Sequence, residues 1–305
     1  MAKALRAKRS FGWTISLLGG ASAAALTAFS PALAQGPVLD TITVTAQKRE
    51  ENQQDVPISV ATLAADRVQA IQAGGEDILA YAARVPSLYA ESSNGRLAPR
   101  FYIRGLGNVD FDVAASQPVS IIMDEVVLEN VVLKSSPIFD VEQVEVLRGP
   151  QGTLFGRNTP AGAVKFTTVK PSDEFDAFFQ VAYGSYNTVT AQGALGGAII
   201  PGVLSGRVSG LLQRRSDWVD NGFTGEEDVM GGYRELAGRV QLLYTPTEAL
   251  SAFVNFHIRS NEGTSALFRA NILEQGTGDL VDGNYDRDTV FYDGGDNNPQ
   301  ESDGW

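Results

Sequence analysis

Five segments of near ten residues, 175–183, 188–196, 203–213, 234–244 and 250–260, alternate between apolar and polar side chains. That length and that period fit a β-strand crossing a bilayer at a tilt. In the fourth, Leu236, Gly238, Val240, Leu242 and Tyr244 alternate with Glu235, Ala237, Arg239, Gln241 and Leu243. In the fifth, Ala252, Val254, Phe256 and Ile258 alternate with Phe253, Asn255, His257 and Arg259. One face suits lipid and the other a wet interior. His257 lies on the interior face, as a lumen residue rather than a metal ligand. A soluble β-sandwich alternates in the same way, so other features must decide.

The connections supply an orientation. Gly184–Asn187, Ile200–Gly202 and Thr245–Glu248 are short, whereas 214–233 and the residues after Ser260 are long, polar and rich in Gly and Asp. Outer-membrane barrels have short periplasmic turns and longer outside loops. With the first strand rising, the turns at Pro201 and Pro246 fall on the periplasmic side, and the long segments fall outside. The start of the chain agrees with export. Lys3, Arg6, Lys8 and Arg9 precede an apolar stretch from Phe11 to Phe29 and a small-x-small site, Ala32-Leu33-Ala34. This reads as a secretory signal over 1–34, cleaved after Ala34.

Composition excludes several function classes. Lys and Arg total 24 against 36 Asp and Glu, for a net charge of −12, and the chain without residues 1–34 reaches −16. So acidic a chain is a poor nucleic-acid binder. With no cysteine and one histidine there is no disulfide framework, no thiolate site and no His-based metal site. Asp282-Gly283-Asn284-Tyr285-Asp286-Arg287-Asp288 has calcium-like spacing, but Arg287 stands where a calcium loop needs glycine and Asp293 where it needs Glu. It is read as a solvated loop, as is Glu226-Glu227-Asp228.

Between the export signal and the alternating strands lies a different pattern. Pro57–Ala61 reads as a strand, Ala64–Ala73 as a helix stopped at Gly74-Gly75, and Glu76–Ala83 as a second short helix. Phe101–Gly107 is a strand entering a glycine turn. Val119–Met123 and Val126–Leu128 are strands around a turn at Asp124-Glu125. Val144–Leu147 and Ala163–Thr168 then flank a loop holding Gly149, Pro150, Gly152, Gly156, Arg157, Pro160 and Gly162. No Gly-Lys pair follows for a phosphate loop, and a strand rather than a helix follows for a dinucleotide site. The loop is therefore structural, and the whole region reads as a small α+β domain. Glu142 and Glu145 would lie on opposite faces of a strand, which argues against a catalytic pair. They and Arg104, Arg148 and Arg157 are expected to form ion pairs with the surroundings of this domain.

The run VEVLRGPQGTLFG, preceded in order by VPISV, LAYAARVPSL, FYIRGLG and VSIIMDEV, resembles the plug domain of TonB-dependent outer-membrane receptors. The resemblance covers about Asp40 to Pro171 in specific motifs. It implies an α+β plug followed by the start of a transmembrane antiparallel β-barrel, of ~22 strands in a complete receptor. The expected division is signal peptide 1–34, an N-terminal segment 35–52, plug 53–171 and a partial barrel over 172–305 holding about five strands. The motif residues it singles out are Arg104, Gly105, Arg148, Gly149, Pro150, Gly152, Gly156, Arg157 and Gly162. The plug would pair those charges with the barrel wall.

Thr41, Ile42, Thr43, Val44, Thr45 and Ala46 form an extended β-branched stretch near the mature N-terminus, suited to adding a strand to another protein's sheet. The resemblance makes it the TonB box, gripped by TonB with its inner-membrane energising complex. It further implies a Gram-negative outer membrane, contact with its lipid, and active uptake of a small ligand without bond chemistry. A ferric siderophore is the leading ligand, with oligosaccharide, haem and cobalamin as alternatives; no cofactor, resident metal or nucleic acid is expected. Ser92–Leu97 and Val109–Ser116 are candidate ligand-facing apices, although the ligand-binding residues themselves stay unknown. A passive porin or surface adhesin is the alternative of another class, and a folded plug with a TonB box argues against it. A periplasmic binding or enzyme domain would need a closed fold. Five strands would leave open edges, so the sequence reads as the N-terminal part of a longer receptor.

Overall fold

The computed structural model describes residues 42–269, 272–281 and 285–305. The expected signal over 1–34, Thr41, and 282–284 of the calcium-like stretch lie outside these. The N-terminal segment forms a two-stranded ribbon, β1 (Thr43–Val44) against β2 (Glu51–Asn52). Next come β3 (Ser59–Ala64) and α1 (Ala65–Gln72), a 3₁₀ helix over Ile78–Arg84, and then β4 (Leu88–Glu91) and β5 (Arg100–Ile103). The region continues with β6 (Val119–Met123), β7 (Val126–Leu128), β8 (Val141–Arg148), a single helical turn α2 (Gly152–Phe155) and β9 (Gly162–Thr168).

Strands β3, β8, β9, β6 and β7 form one mixed sheet in that order, with β6 parallel to β9 and the other neighbours antiparallel. Every residue of Val119–Met123 is buried, as befits a strand covered on both faces. On one face Val144, Val146, Val164, Phe166 and Ile121 pack against Val68, Ile71, Ile78 and Tyr81. On the other face Ile122, Leu147 and Ala163 pack against Val44, Ala46, Val56 and Phe155. The N-terminal segment is thus one wall of the α+β core.

The helix expected over Glu76–Ala83 is a 3₁₀ helix, Ile78–Arg84. Gly75 adopts φ +73 before it, and Pro86 after it holds Val85 extended at φ −121, ψ 118. Little more than two turns fit between them, and the tighter helix uses that length. Asp77 caps it by accepting from Leu79 N at 2.9 Å.

The second layer is a six-stranded antiparallel sheet. It contains β10 (Asp176–Gly184), β11 (Thr188–Ile200), β12 (Leu204–Arg215), β15 (Tyr233–Thr247), β16 (Leu250–Thr264) and β18 (Pro299–Gly304), in that order. The connection after β12 carries β13 (Val219–Asn221) and β14 (Glu226–Met230), which join β17 (Thr289–Val290) in a small separate sheet over Val219, Met230 and Val290. The five expected barrel strands are present. Two expectations for the loops change: 214–233 and the stretch after Ser260 contain strands, and Pro299–Gly304, expected as polar loop, is a sixth strand on the edge of β16. At 15 residues each, β15 and β16 exceed the roughly 9–11 that a tilted crossing needs. Their loop ends therefore extend past a bilayer's apolar core.

Alternation decides which side meets the α+β domain. Thr190, Gln192, Ser205, Arg207, Ser209, Gln213, Glu235, Arg239 and Gln241 are buried, although all are polar. Phe179, Val181, Leu195, Val208, Val240, Val254, Phe256 and Ile258 are exposed, although all are apolar. A water-soluble sheet has the opposite arrangement, so the apolar face is suited to hydrocarbon and the polar face to the enclosed domain.

Candidate functional site

The N-terminal segment sits on a charged pair in the middle of the α+β sheet. Glu145 of β8 and Lys165 of β9 are directly opposite in register, and both are buried. Thr45 bridges them. Its backbone N–H donates to Glu145 Oε1 at 2.6 Å and its hydroxyl to Glu145 Oε2 at 3.0 Å. Lys165 Nζ donates to Thr45 O at 3.2 Å and to Thr45 Oγ1 at 2.9 Å, and also pairs with Glu125. On either side of Thr45, Val44 and Ala46 are both 0% exposed, against Leu147, Ala163 and Phe155. Lys48 covers the Phe155 ring at 5.2 Å. Ile42 and Thr43 remain exposed. Alternating β-branched residues thus dock through two apolar contacts and one polar clasp.

Burial pushes the Glu145 carboxyl above the usual glutamate range, against the opposite pull of the Thr45 N–H and the Lys165 charge. The folded plug therefore holds that proton more tightly than the unfolded chain does, and this contribution to its stability is lost as pH rises through the raised value. Glu145→Ala removes both acceptors of Thr45 and should increase the released population roughly 5- to 150-fold, the equivalent of about 1–3 kcal/mol. A spin label at Ile42 would report this as a gain in mobile signal. An unchanged spectrum in Glu145→Ala would count against the clasp.

The plug-motif residues gather at the other end of β8. Arg104 has φ +54 and donates its backbone N–H to Ser87 O at 2.9 Å. Arg148 donates to Ser59 Oγ at 3.2 Å and to Pro86 O at 3.1 Å. Burial, with Arg104 close by, lowers its proton affinity. The two arginine motifs are thus brought together by the Pro86–Ser87 backbone, which accepts from both. Gly105, Gly149, Gly156 and Gly162 all take positive φ, Gly152 opens the α2 turn, and Pro150 lies between Gly149 and that turn. Arg157 makes a two-pronged pair with Glu129.

The expectation that Arg104, Glu142, Glu145, Arg148 and Arg157 pair with the barrel wall is not met among the described residues. Arg148 and Arg157 bond within the domain, Glu145 holds the N-terminal segment, and the side chains of Arg104 and Glu142 are exposed. The contacts to the outer sheet come from loops, from a short helical turn at Ser135 and from the end of β9 at Thr168 instead. Arg207 of β12 takes both oxygens of Asp140 at 2.7 and 2.6 Å. Arg239 donates to Phe139 O at 3.0 Å and stacks on the Phe139 ring at 4.4 Å. Gln241 reaches Thr168, Asn255 reaches Asp124, and Arg259 reaches Ser135, all within 2.9 Å. Nearer the loop end, Tyr233 donates to Gly75 O at 2.6 Å and Arg96 lies 4.0 Å from the Tyr233 ring. The polar partners on the strands were readable from alternation, but the loop residues they meet were not.

The two candidate apices differ. Ser92–Leu97 is tied to the strands, with Gln300 donating to Asn94 O at 2.5 Å. Val109–Ser116 stands free: Val109, Phe111 and Val113 are exposed, Phe111 at 66%. Successive turns capped by Asn108, Asp110 and Asp112 hold its shape. Arg100, itself buried, stacks on Phe111 at 4.8 Å.

Residues 52–163 match the TonB-dependent receptor plug domain family. The pesticin receptor of Yersinia pestis is 30% identical over 167 residues, covering 54% of this chain and 24% of that protein. The vitamin B12 transporter BtuB of Vibrio vulnificus is 28% identical over 176 residues, covering 56% of this chain and 27% of that protein. Among solved structures, the ferric yersiniabactin uptake receptor FyuA of Yersinia pestis superposes with a TM-score of 0.62 at 25% identity, over 68% of this chain and 32% of that one. The chain thus spans about a quarter of the length of the curated relatives it matches. Residues 52–163 thus form a TonB-dependent receptor plug domain, and the chain is similar in sequence and fold to the TonB-dependent receptors of the Gram-negative outer membrane.

Proposed function

We propose that this chain is part of an active transporter that takes up a scarce ligand, a ferric siderophore first, and that TonB draws on residues 41–46 to open it. The observation that carries the reading is the docking of Val44, Thr45 and Ala46 on the Glu145–Lys165 pair. A short β-branched strand held by few contacts is able to leave the sheet and add to another protein's edge. Ligand on the outer side would bias the plug toward the released state, and the pull of TonB would then act on β8 and β9 through the same clasp. The ligand keeps all its bonds, so the activity is transport and not catalysis. The exposed Val109, Phe111 and Val113 apex, backed by Arg100, is the proposed ligand-facing surface. The relatives named for ferric yersiniabactin and for vitamin B12 supply the leading and the alternative ligand class.

The test is uptake by iron-starved cells producing the whole receptor, with a panel of labelled ferric siderophores and with cobalamin, haem and an oligosaccharide as parallel arms. One ferric siderophore should enter in cells with TonB and not in cells without it. Val44→Pro removes the N–H that a partner strand needs and should cut uptake at least ~10-fold while binding to isolated membranes stays unchanged. Equal uptake with and without TonB would point to a passive pore. Entry of cobalamin in place of every siderophore would overturn the ligand class alone.

A further inference from the structure

The acidity of the chain is concentrated at one end of the barrel sheet. The two long connections, 216–233 and 261–305, hold fifteen acidic residues against two arginines, Arg269 and Arg287, while the whole chain carries −12. The rest of the chain is therefore nearly neutral. Among the described residues, the ion pairs of these connections are Arg234–Glu262 and Arg287–Asp288, both at 3.9 Å and both exposed. Solvent screens such pairs, and they cancel little of the excess. An uncompensated charge of this sign draws cations toward that end and slows the approach of anions.

The free plug apex opens on the same end. Gln300 of β18 bonds to Asn94, and Asn94 lines one cleft with Asp110, Phe111 and Asp112. These three residues stand exposed in the order acid, ring, acid. Asp110 and Asp112 each use one oxygen to cap the next turn, at 3.0 and 2.9 Å, and neither makes an ion pair among the described residues. The Phe111 ring already receives a cation, the guanidinium of Arg100 at 4.8 Å. Arg100 is buried and its charge is offset by Glu91 at 3.4 Å, while Phe111 itself stays open to solvent. Gln117, only 4% exposed, lines the same cleft, and its side-chain oxygen has no donor among the described residues. Two carboxylates, an open aromatic face and an unused acceptor suit an alkylammonium group, and none of them suits an anion.

We propose that this end of the receptor selects a ferric chelate of net positive charge, whose ammonium group is held by Asp110, Asp112 and the open face of Phe111. This rests on the reading of the chain as part of a ferric-siderophore transporter and narrows the ligand of that transporter by charge.

The test uses the whole receptor purified from outer membranes and follows the quenching of its tryptophan fluorescence by three ferric chelates. These are a linear trihydroxamate with a free ammonium, the same chelate acetylated on that nitrogen, and a tricatecholate, which is an anion. The ammonium form should bind at least ~10-fold more tightly than the acetylated form at low salt, and the advantage should shrink as salt rises. D110N/D112N should remove most of the advantage, and asparagine keeps the acceptor that caps each turn, so the loop retains its shape. F111L should weaken binding of the ammonium form roughly 2- to 5-fold. Equal binding of the ammonium and acetylated forms, tightest binding of the tricatecholate, or a full advantage in D110N/D112N overturns the proposal. So does binding of none of the three. TonB-dependent uptake of some other ferric siderophore would then show that the wider transport reading survives, and uptake of cobalamin in place of every siderophore would show that it fails with the proposal.

Discussion

Arg207→Met is expected to cost about 3–5 kcal/mol and to free the plug from this part of the barrel. Asp140 and Arg207 are respectively 1% and 3% exposed at the side chain. Arg207 is the ion partner that Asp140 has, and it satisfies both carboxylate oxygens. Its removal leaves a buried carboxylate without its charged partner, which is the costly way to break a buried pair. The second partner of Arg207, Asp176, is 57% exposed and adds little, because solvent screens it. The loss should appear as a lower denaturant midpoint for the plug and faster cleavage near Val169–Pro171. The companion double change, Asp140→Asn with Arg207→Met, leaves no buried charge and should recover at least half of the loss. A single change costing under about 1 kcal/mol, or a double change as damaging as the single one, would show that the pair does not hold the plug.

The strands that cross the membrane were legible because each carries its own signal. Leu236 to Tyr244 and Ala252 to Ile258 repeat every second residue, and the bilayer imposes that repeat locally. Pro299–Gly304 carries no such signal. Its residues are polar, and what makes it a strand is the free edge of β16, whose backbone groups pair with any extended chain. The same division holds in the plug. Glu145 was visible as a charge inside an apolar run, but its partner Thr45 lies 100 positions away, and no spacing rule links them. Asp140 and Arg207 are 67 positions apart, and Asp140 occupies a loop with no motif around it. The sequence assigned the motif charges to the barrel wall because charged groups near an apolar run need partners. The fold supplied nearer ones: Glu129 for Arg157, and Ser59 with the Pro86 carbonyl for Arg148.

Gly162→Ala is expected to be the most damaging single change in the glycine-rich loop, although it adds one carbon. Gly162 opens β9 at φ +144, a backbone conformation that L side chains rarely adopt. A Cβ there would lie 2.1 Å from the Leu147 carbonyl oxygen and 2.9 Å from Ile103 Cδ1. The Ile103 methyl can turn aside, but the Leu147 carbonyl belongs to the backbone of β8. That strand is fixed on one side by β3 and on the other by β9 itself, where Gly162 is paired with Arg148. Gly162 is also paired with Val119 of β6, so moving it would disturb three strands at once. Relief by a local shift is closed off, and a cost above about 4 kcal/mol follows. Gly156 gives the control. It too has positive φ, at +78, but a Cβ there would meet nothing within 4 Å. Gly156→Ala therefore costs only the strained backbone, at φ 78 and ψ −152, about 1–3 kcal/mol. Receptor levels in the outer membrane and the denaturant midpoint of the plug should collapse for Gly162→Ala and fall slightly for Gly156→Ala. Equal effects would mean that backbone conformation, and not the meeting of β8 with β9, sets the need for glycine at this junction.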